Sequence, residues 1–513
     1  MSTIDRRRFL RQTATAAAGL LAGCASRALQ GPPVAVESAS IEDLRRALEE
    51  GRETASSLVA TCLRRIEDLD RNGPGLRSVI ELNPDAPEIA RTLDREAPRG
   101  PLHGIPVLIK DNIATHDRMA TTAGSLALDG CIAPRDASVA RKLRDAGAVI
   151  LGKTNLSEWA NFRSTRATSG WSGRGGLTRN PYALDRNPSG SSSGSAVAVA
   201  AGLCSVAVGT ETNGSIVCPA SVCGIVGIKP SVGLIAADGI IPISATQDTA
   251  GPMARTVADA AALLGVLAGR PLDLRGALDR DGLRGARIGV ARNFFDPGSV
   301  SDDLLDRAVE TLRRQGAVVL DPIDVPFPPG LGAAEGTLLS YEFKAGLNAY
   351  LAALGGNAPV KSLRDIIAFN EGHADRELLH FGQERFLQAE ARGPLSDSAY
   401  RDALARCRRW AKEEGPDAIL DRQGLDALVA PTSSPALKTR LGSGDGNFAG
   451  SSWPAAIAGT PNVTLPMGSW EGLPVGISFL GRAWSETLLI RLAYSFEQAT
   501  LARRAPEFPP TVG

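Results

Sequence analysis

A surplus of charge of either sign is the first thing this sequence lacks: 56 basic and 56 acidic side chains cancel to a formal net charge of zero. Without a basic excess nothing draws the chain as a whole toward nucleic acid, so no nucleic-acid partner is expected. The seven cysteines include no C-x-x-C pair, and the four histidines have no zinc-ligand spacing. His373 and His380 lie seven apart, a spacing that places them on one helix face, but nothing else near them would complete a metal site. A surface or packing role is expected, and no metal or cofactor. There is also no internal repeat and no long low-complexity linker, and the composition is neither disordered, collagenous nor that of a membrane bundle. What remains is an ordinary globular make-up, 43% hydrophobic and 22% charged over 513 residues, enough to bury a large core.

The first residues read as a delivery signal. Asp5 to Arg11 spell D-R-R-R-F-L-R, which resembles a Tat export signal. The apolar stretch that follows, Ala14 to Ala22, is too short for a permanent membrane span. Leu21-Ala-Gly-Cys24 resembles a bacterial lipobox, in which Cys24 is lipidated and becomes the new N-terminus. An ordinary signal peptide cut near Ala28 is the alternative. Residues 1–23 are therefore set apart from the fold, 24–39 are taken as a linker, and 40–505 as one domain. A periplasmic location is expected, with membrane anchoring where Cys24 carries lipid, and the chain is expected to act as a monomer. Removing residues 1–23 takes away four arginines and one aspartate and leaves a net charge of −3. The periplasm permits disulfides, but spacing does not fix a pairing for the six cysteines after Cys24.

Beyond the leader, helical and strand patterns alternate. Ser40 is placed to cap a helix ending at Gly51, and a second amphipathic run extends from Ala55 to about Asp70. Ile105–Lys110, Ala148–Leu151, Val206–Thr210, Leu425–Val429 and Val475–Leu480 read as strands. Asp136–Ala146 and Ala196–Ala201 read as helices. Thr256-Val-Ala-Asp259 resembles a capping box opening a helix that ends near Gly269. Ile288–Ala291, a helix near 302–315, and Val318–Leu320 form a β–α–β pattern. Residues 331–420 are expected to be a mostly helical cap. The fold class expected is α/β: a single large domain with a central mixed, twisted β-sheet covered by helices on both faces.

Two polar turns concentrate the chemistry. Ser189-Gly-Ser-Ser-Ser-Gly-Ser195 has the composition of a flexible linker, but it runs at once into the apolar helix former A-V-A-V-A-A. A Gly-rich loop feeding a helix start presents backbone N–H groups to negative charge. After the strand at 206–210 comes a second small polar turn, Glu211-Thr-Asn-Gly-Ser215. Sites in open α/β sheets lie at such strand ends, so two serine loops are placed to converge.

These strings carry a resemblance. Gly104-Ile-Pro-Val-Leu-Ile-Lys110-Asp-Asn, the loop 189–195, and Thr210-Glu-Thr-Asn-Gly-Ser215-Ile-Val-Cys-Pro219 resemble, in order, the three motifs of the amidase signature family. Gly152-Lys-Thr-Asn155 and Gly224-Ile-Val-Gly-Ile-Lys-Pro230 are similar to it as well. The resemblance covers most of residues 40–500 and is densest from 100 to 255. It implies a hydrolase of linear amides acting on a small-molecule or peptide amide, without cofactor. Ser215 would be the acyl-forming nucleophile, Ser191 the bridging serine on a cis peptide, and Lys110 the catalytic lysine. Gly190 and Ser192 would support the loop, and the backbone N–H groups of Thr212, Asn213, Gly214 and Ser215 would form the oxyanion hole. Ser189, Ser193 and Asn213 depart from the family's glycines, Glu211 from its aspartate and Val217 from its arginine. Asn tolerates left-handed backbone better than most residues, so the turn can survive. The strings Ser157–Phe162, Ser169–Ser172 and Gln247–Gly251 look most like the bacterial peptide amidases of the family, which take ammonia from C-terminal peptide amides.

The chemistry needs a base, because a serine hydroxyl is a poor nucleophile until its proton is taken. No histidine lies near either serine loop in sequence. A lysine serves only when neutral, and at its free pKa fewer than about one in a thousand are neutral at pH 7. Burial lowers that value, and Lys110 closes an apolar run. The alternatives for Lys110 are a strand-end lysine reaching solvent or a partner for Asp111. Two other patterns compete. Gly190-Ser-Ser-Ser-Gly194 fits a nucleophile elbow with Ser192 at its centre, but turn residues precede it where a strand is required, and only His373 or His380 could be its base. Gly147–Thr154 fits a P-loop, but its variable positions are Ala-Val-Ile-Leu, a strand. Within the family, the rivals are the A subunit of glutamyl-tRNA amidotransferase and amidases of aryl or fatty acid amides. A non-catalytic lipoprotein that binds peptides is the reading from outside enzymology.

Overall fold

The computed structural model describes residue 32, residues 34–446 and residues 449–512. The Tat-like segment 1–23 and Cys24 lie outside the described residues. Among the described residues no helix is long and apolar enough to cross a membrane.

Eleven of the described strands make one sheet. In chain order they are β1 (Val79–Leu82), β2 (Pro106–Lys110), β3 (Val149–Thr154), β4 (Val206–Glu211), β5 (Val226–Lys229), β6 (Thr249–Ala254), β7 (Arg287–Ala291), β8 (Val318–Ile323), β9 (Ala427–Pro431), β10 (Asn462–Trp470) and β11 (Leu473–Leu480). They lie side by side as β1-β3-β2-β4-β6-β5-β10-β11-β9-β7-β8. β2 is parallel to β3 and β4, and β7 to β8 and β9; the remaining pairs are antiparallel, so the sheet is mixed as expected. Successive strand residues face opposite sides. Every residue of β2, β3, β4, β6 and β9 is buried, so helices cover both faces there.

The expected elements form within a few residues of their predicted ends. Ser40 caps the helix Ile41–Glu49 in a reciprocal box with Asp43. Thr256 caps Val257–Leu267 by accepting from the N–H of Asp259. The other half of that box is not made: the Asp259 carboxylate instead accepts from the Ile41 N–H at 2.8 Å, tying the first helix to this one. The P-loop-like string 147–154 contains the whole of β3, as its apolar residues required. Four strands escape the sequence patterns. β1 is short and half-buried; β6 and β10 contain Pro and Gly, which depress strand propensity. Pro252 of β6 lies beyond the short ladder with β5, which pairs only at Ala254 and Met253. The fourth, β5, is only four residues long.

Chain on either side of residues 40–505 packs on the same core. Arg255 holds the carbonyls of Val36 and Ala39, and Leu184 donates to the Pro509 carbonyl. Residues 331–420 carry the helices Leu331–Ala353, Leu363–Gly372, Glu384–Glu390 and Ser398–Glu413. Two buried anchors fasten this region. Glu342 on the long helix takes hydrogen bonds from Thr246 and Tyr400. Arg163, fully buried, bridges Glu158 at 2.5 Å and Glu377 at 3.2 Å. The six described cysteines are all free and buried, so no disulfide forms among them. Burial pushes the Cys62 thiol up to about 12.

Candidate active site

Two strand ends and two loops bring the sequence-predicted residues together. Lys110 ends β2, and the neighbouring parallel strand β4 ends at Glu211. The turn 212–216 leaves β4 and enters the short helix Val217–Val222, carrying Ser215. The serine loop comes in from the other side and starts the helix Ser193–Ala200. Its Gly190–Ser191 peptide is cis. The loops are stitched by the Ser192 N–H, which donates to the Ser215 carbonyl at 3.1 Å, and by the Ser157 N–H, which donates to the Ser191 carbonyl at 3.1 Å. A Cβ at Gly190 would meet the Ser157 hydroxyl oxygen at 2.2 Å, so the residue before Ser191 has to be glycine.

Lys110 is fully buried and faces only oxygens. Its Nζ lies 2.7 Å from Ser191 Oγ, 3.0 Å from Ser192 Oγ, 2.9 Å from Thr210 Oγ1 and 3.2 Å from the Thr210 carbonyl. The Ser192 hydroxyl donates to the Thr210 carbonyl and accepts from the Thr210 N–H, so toward Lys110 it can only accept. Asn112 donates to Thr210 Oγ1 at 3.0 Å. A neutral amine has two hydrogens and one lone pair. With the hydrogens on Ser192 and Thr210, the lone pair faces the Ser191 hydroxyl. Lys110 neither reaches solvent nor pairs with Asp111, whose carboxylate is turned to Thr122 and Gly124. Burial lowers the Lys110 pKa to about 7, against the opposing pull of the negative charges of Asp248 and Glu211.

Ser215 is at the edge of this buried cluster, 8% exposed, and its hydroxyl has no hydrogen-bond partner among the described residues. Ser191 and Ser215 are thus brought to one place without a direct hydroxyl–hydroxyl bond. Of the four expected oxyanion donors, one is otherwise engaged. The Gly214 N–H donates to Glu211 Oε1 at 2.9 Å, because the Glu211 side chain folds back under the turn and also holds the N–H groups of Ile216 and Val217. The N–H groups of Thr212, Asn213 and Ser215 have no acceptor among the described residues. Gly214 keeps a different necessity, a left-handed φ of 81°.

Sequence reasoning passed over several residues that build the site. Thr210 and Asn112 stand inside the quoted motifs, and their polarity beside Lys110 was the available signal. Asp248 accepts from Thr212 Oγ1 at 2.6 Å and from the N–H groups of Ile243 and Ser244, and burial raises its pKa to about 6. Nothing local in sequence places it near Lys110. Thr210, Thr212, Asn112 and Asp248 share a cavity of about 30 Å³, large enough to admit water. The nucleophile-elbow alternative finds no base: His373 stacks on Phe369 at an exposed helix end, and the His380 ring packs edge-on to Trp171. Among the described residues no cluster of ligand-type side chains would hold a metal ion.

Known proteins resemble this chain over most of its length. A sequence model of the amidase family matches residues 57–490. The native peptide amidase of Stenotrophomonas maltophilia is 52% identical, with 92% of this chain and 99% of that one covered and a TM-score of 0.87. The probable amidase of Arabidopsis thaliana is 43% identical, covering 95% of this chain and 94% of that protein. The A subunit of the glutamyl-tRNA(Gln) amidotransferase of Microcystis aeruginosa is 34% identical, covering 91% of this chain and 99% of that one. On the family match, the near-complete coverage and the fold together, the chain belongs to the amidase signature family and is an amide hydrolase acting on C–N bonds.

Proposed function

We propose that the chain hydrolyses the C-terminal carboxamide of peptides, releasing ammonia, through Lys110, Ser191 and Ser215. The observation that carries this reading is the sealed Lys110 amine, held near pKa 7 with Ser191 Oγ at 2.7 Å. Neutral Lys110 takes the Ser191 proton as Ser191 takes that of Ser215, and Ser215 Oγ attacks the amide carbonyl carbon. The N–H groups of Thr212, Asn213 and Ser215 receive the developing oxyanion, each such donor being worth about 2.7–4 kcal/mol. When the C–N bond breaks, the proton returns along Lys110 and Ser191 to the nitrogen, which leaves as ammonia. Water then gives its proton to the same relay, attacks the Ser215 ester and releases the peptide acid, restoring the three groups.

A peptide-amide substrate is favoured over an amidotransferase role by the 52% identity to a peptide amidase, against 34% to an amidotransferase component. The balanced charge gives an amidotransferase reading no support. We also propose export by the Tat-like segment, with Cys24 as the lipid attachment point. Ammonia release from an amidated dipeptide tests the function. Turnover by the wild type and none by Ser215→Ala is the expected result; equal turnover by both would overturn the assignment.

A further inference from the structure

The turn that carries Ser215 is gripped from the helical region above it. The Asn213 side chain donates to Glu335 Oε1 at 2.9 Å and accepts from Ser452 Oγ at 2.9 Å. Gln247 donates to the same Glu335 oxygen at 3.1 Å. That fixes the Gln247 amide: its nitrogen faces the carboxylate, and its Oε1 is left buried with no partner, in a side chain 1% exposed. Glu335 Oε2 also has no hydrogen-bond donor among the described residues, since both donors sit on Oε1. Leaving a buried acceptor unmet costs about 1–3 kcal/mol, so the Gln247 oxygen, with the part-exposed Glu335 Oε2 beside it, calls for a ligand that donates. The nearby cation is Arg385, which lies against the Phe162 ring and acts on Glu335 through space without an ion pair.

We propose that Glu335 and Gln247 form a subsite for a cationic nitrogen of the amide substrate, next to the Asn213–Ser215 turn. Two free acceptor oxygens, one on a carboxylate, match an ammonium group that has several hydrogens and a charge to place. In a peptide amide that group is either the free α-ammonium of a short chain or the side-chain ammonium of a lysine residue. The subsite rests on the peptide-amide reading and makes Glu335 a specificity-determining residue within it. Glu335 comes from the long helix Leu331–Ala353, outside the three family motifs, so substrate choice is set by the helical region and the chemistry by the sheet.

The test compares three substrates by ammonia release, using the full chain: alanyl-phenylalanine amide, its N-acetylated form, and the N-acetylated lysyl-phenylalanine amide. The wild type should prefer one of the two cationic substrates to the neutral one by about tenfold or more in kcat/KM, as one charge-assisted hydrogen bond supplies. Which of them wins identifies the source of the ammonium. Glu335→Gln should bring that ratio close to one, chiefly through KM. Gln247→Met should lower it less. A wild type without cation preference overturns the subsite, and so does a Glu335→Gln variant that loses equally on all three substrates, which would make Glu335 only a brace for Asn213. Turnover of the neutral substrate without cation preference sinks the subsite alone; no turnover of any of the three sinks the peptide-amide reading beneath it.

Discussion

If Lys110 is the base, activity must follow its protonation. Moving its pKa from 10.5 to about 7 corresponds to about 5 kcal/mol held against the ammonium form. Half of the molecules then carry the lone pair at pH 7, about a tenth at pH 6 and nine tenths at pH 8, against fewer than one in a thousand for an ordinary lysine at pH 7. The kcat/KM for ammonia release should therefore rise with pH, by up to about tenfold per unit, through a midpoint near 7, then level off. The acid limb should be shallower below pH 6, because Asp248 loses its own charge as pH falls through about 6 and stops favouring the ammonium. Asp248→Asn sharpens the test. Its negative charge raises the Lys110 pKa, so removing it must move the limb to lower pH. Glu211 acts in the same direction but also holds the turn, so it is the poorer probe. The assay is initial-rate ammonia release from pH 5 to 9, with circular dichroism at each pH to show that the fold persists. A flat profile in the wild type, or a limb that moves to higher pH in Asp248→Asn, refutes the role of Lys110.

Other outcomes follow from the same geometry. Ser191→Ala should lower kcat by several orders of magnitude with native circular dichroism, since Lys110 then has no hydroxyl through which to reach Ser215. Lys110→Met should be inactive, and its stability difference from the wild type should depend on pH in one direction only. The unfolded lysine holds its proton up to about 10.5 while the folded one releases it above about 7, so wild-type stability gains with pH across that window and any thermal advantage of Lys110→Met shrinks as pH rises. Gly194→Ala should destabilise by about 1–3 kcal/mol or more, read as a lower Tm, because its Cβ would lie 2.3 Å from the Ser78 carbonyl oxygen and 2.4 Å from that of Asn155, both backbone. Arg163→Met leaves Glu158 and Glu377 buried without a counter-charge and should cost about 3–5 kcal/mol by denaturant titration.

How much of this was legible beforehand depended on range along the chain. Helix starts were, because a cap is a matter of three or four adjacent residues: Ser40 with Asp43 is a complete local instruction. Asp259 shows the limit, its carboxylate being claimed by Ile41, 218 residues away. Strands with apolar runs were legible, whereas β6 was hidden by Gly251 and Pro252, which lie opposite Gly209 and Val208 of β4 and beyond the ladder with β5. The three motif residues 110, 191 and 215 were legible through their strings, and the loops that hold them are joined by the Ser192–Ser215 backbone bond. The engagement of Gly214 by Glu211 was not, although the two are three residues apart. A longer acid in place of aspartate reads as a conservative change, and only geometry shows its carboxylate folding back under the turn.

The same division explains why one fold can keep its chemistry and vary its substrate. Lys110, Thr210 and Ser192 form a closed set of hydrogen bonds on adjacent parallel strands and a helix start, where each atom is fixed by backbone that the sheet itself fixes. A substitution there breaks several bonds at once. Glu335 reaches Gln247 and Asn213 from a helix that pairs with neither strand end, through side chains alone, and the Gln247 Oε1 remains buried without a partner. A substitution in that group changes what the site will accept without moving the strands beneath it. The helical region is held to the rest of the fold by Phe343, Leu347 and Phe386 in the main core and by the polar anchors Glu342 to Thr246 and Arg163 to Glu377, so a part-exposed side chain such as Glu335 can change while those contacts and the relay keep their geometry.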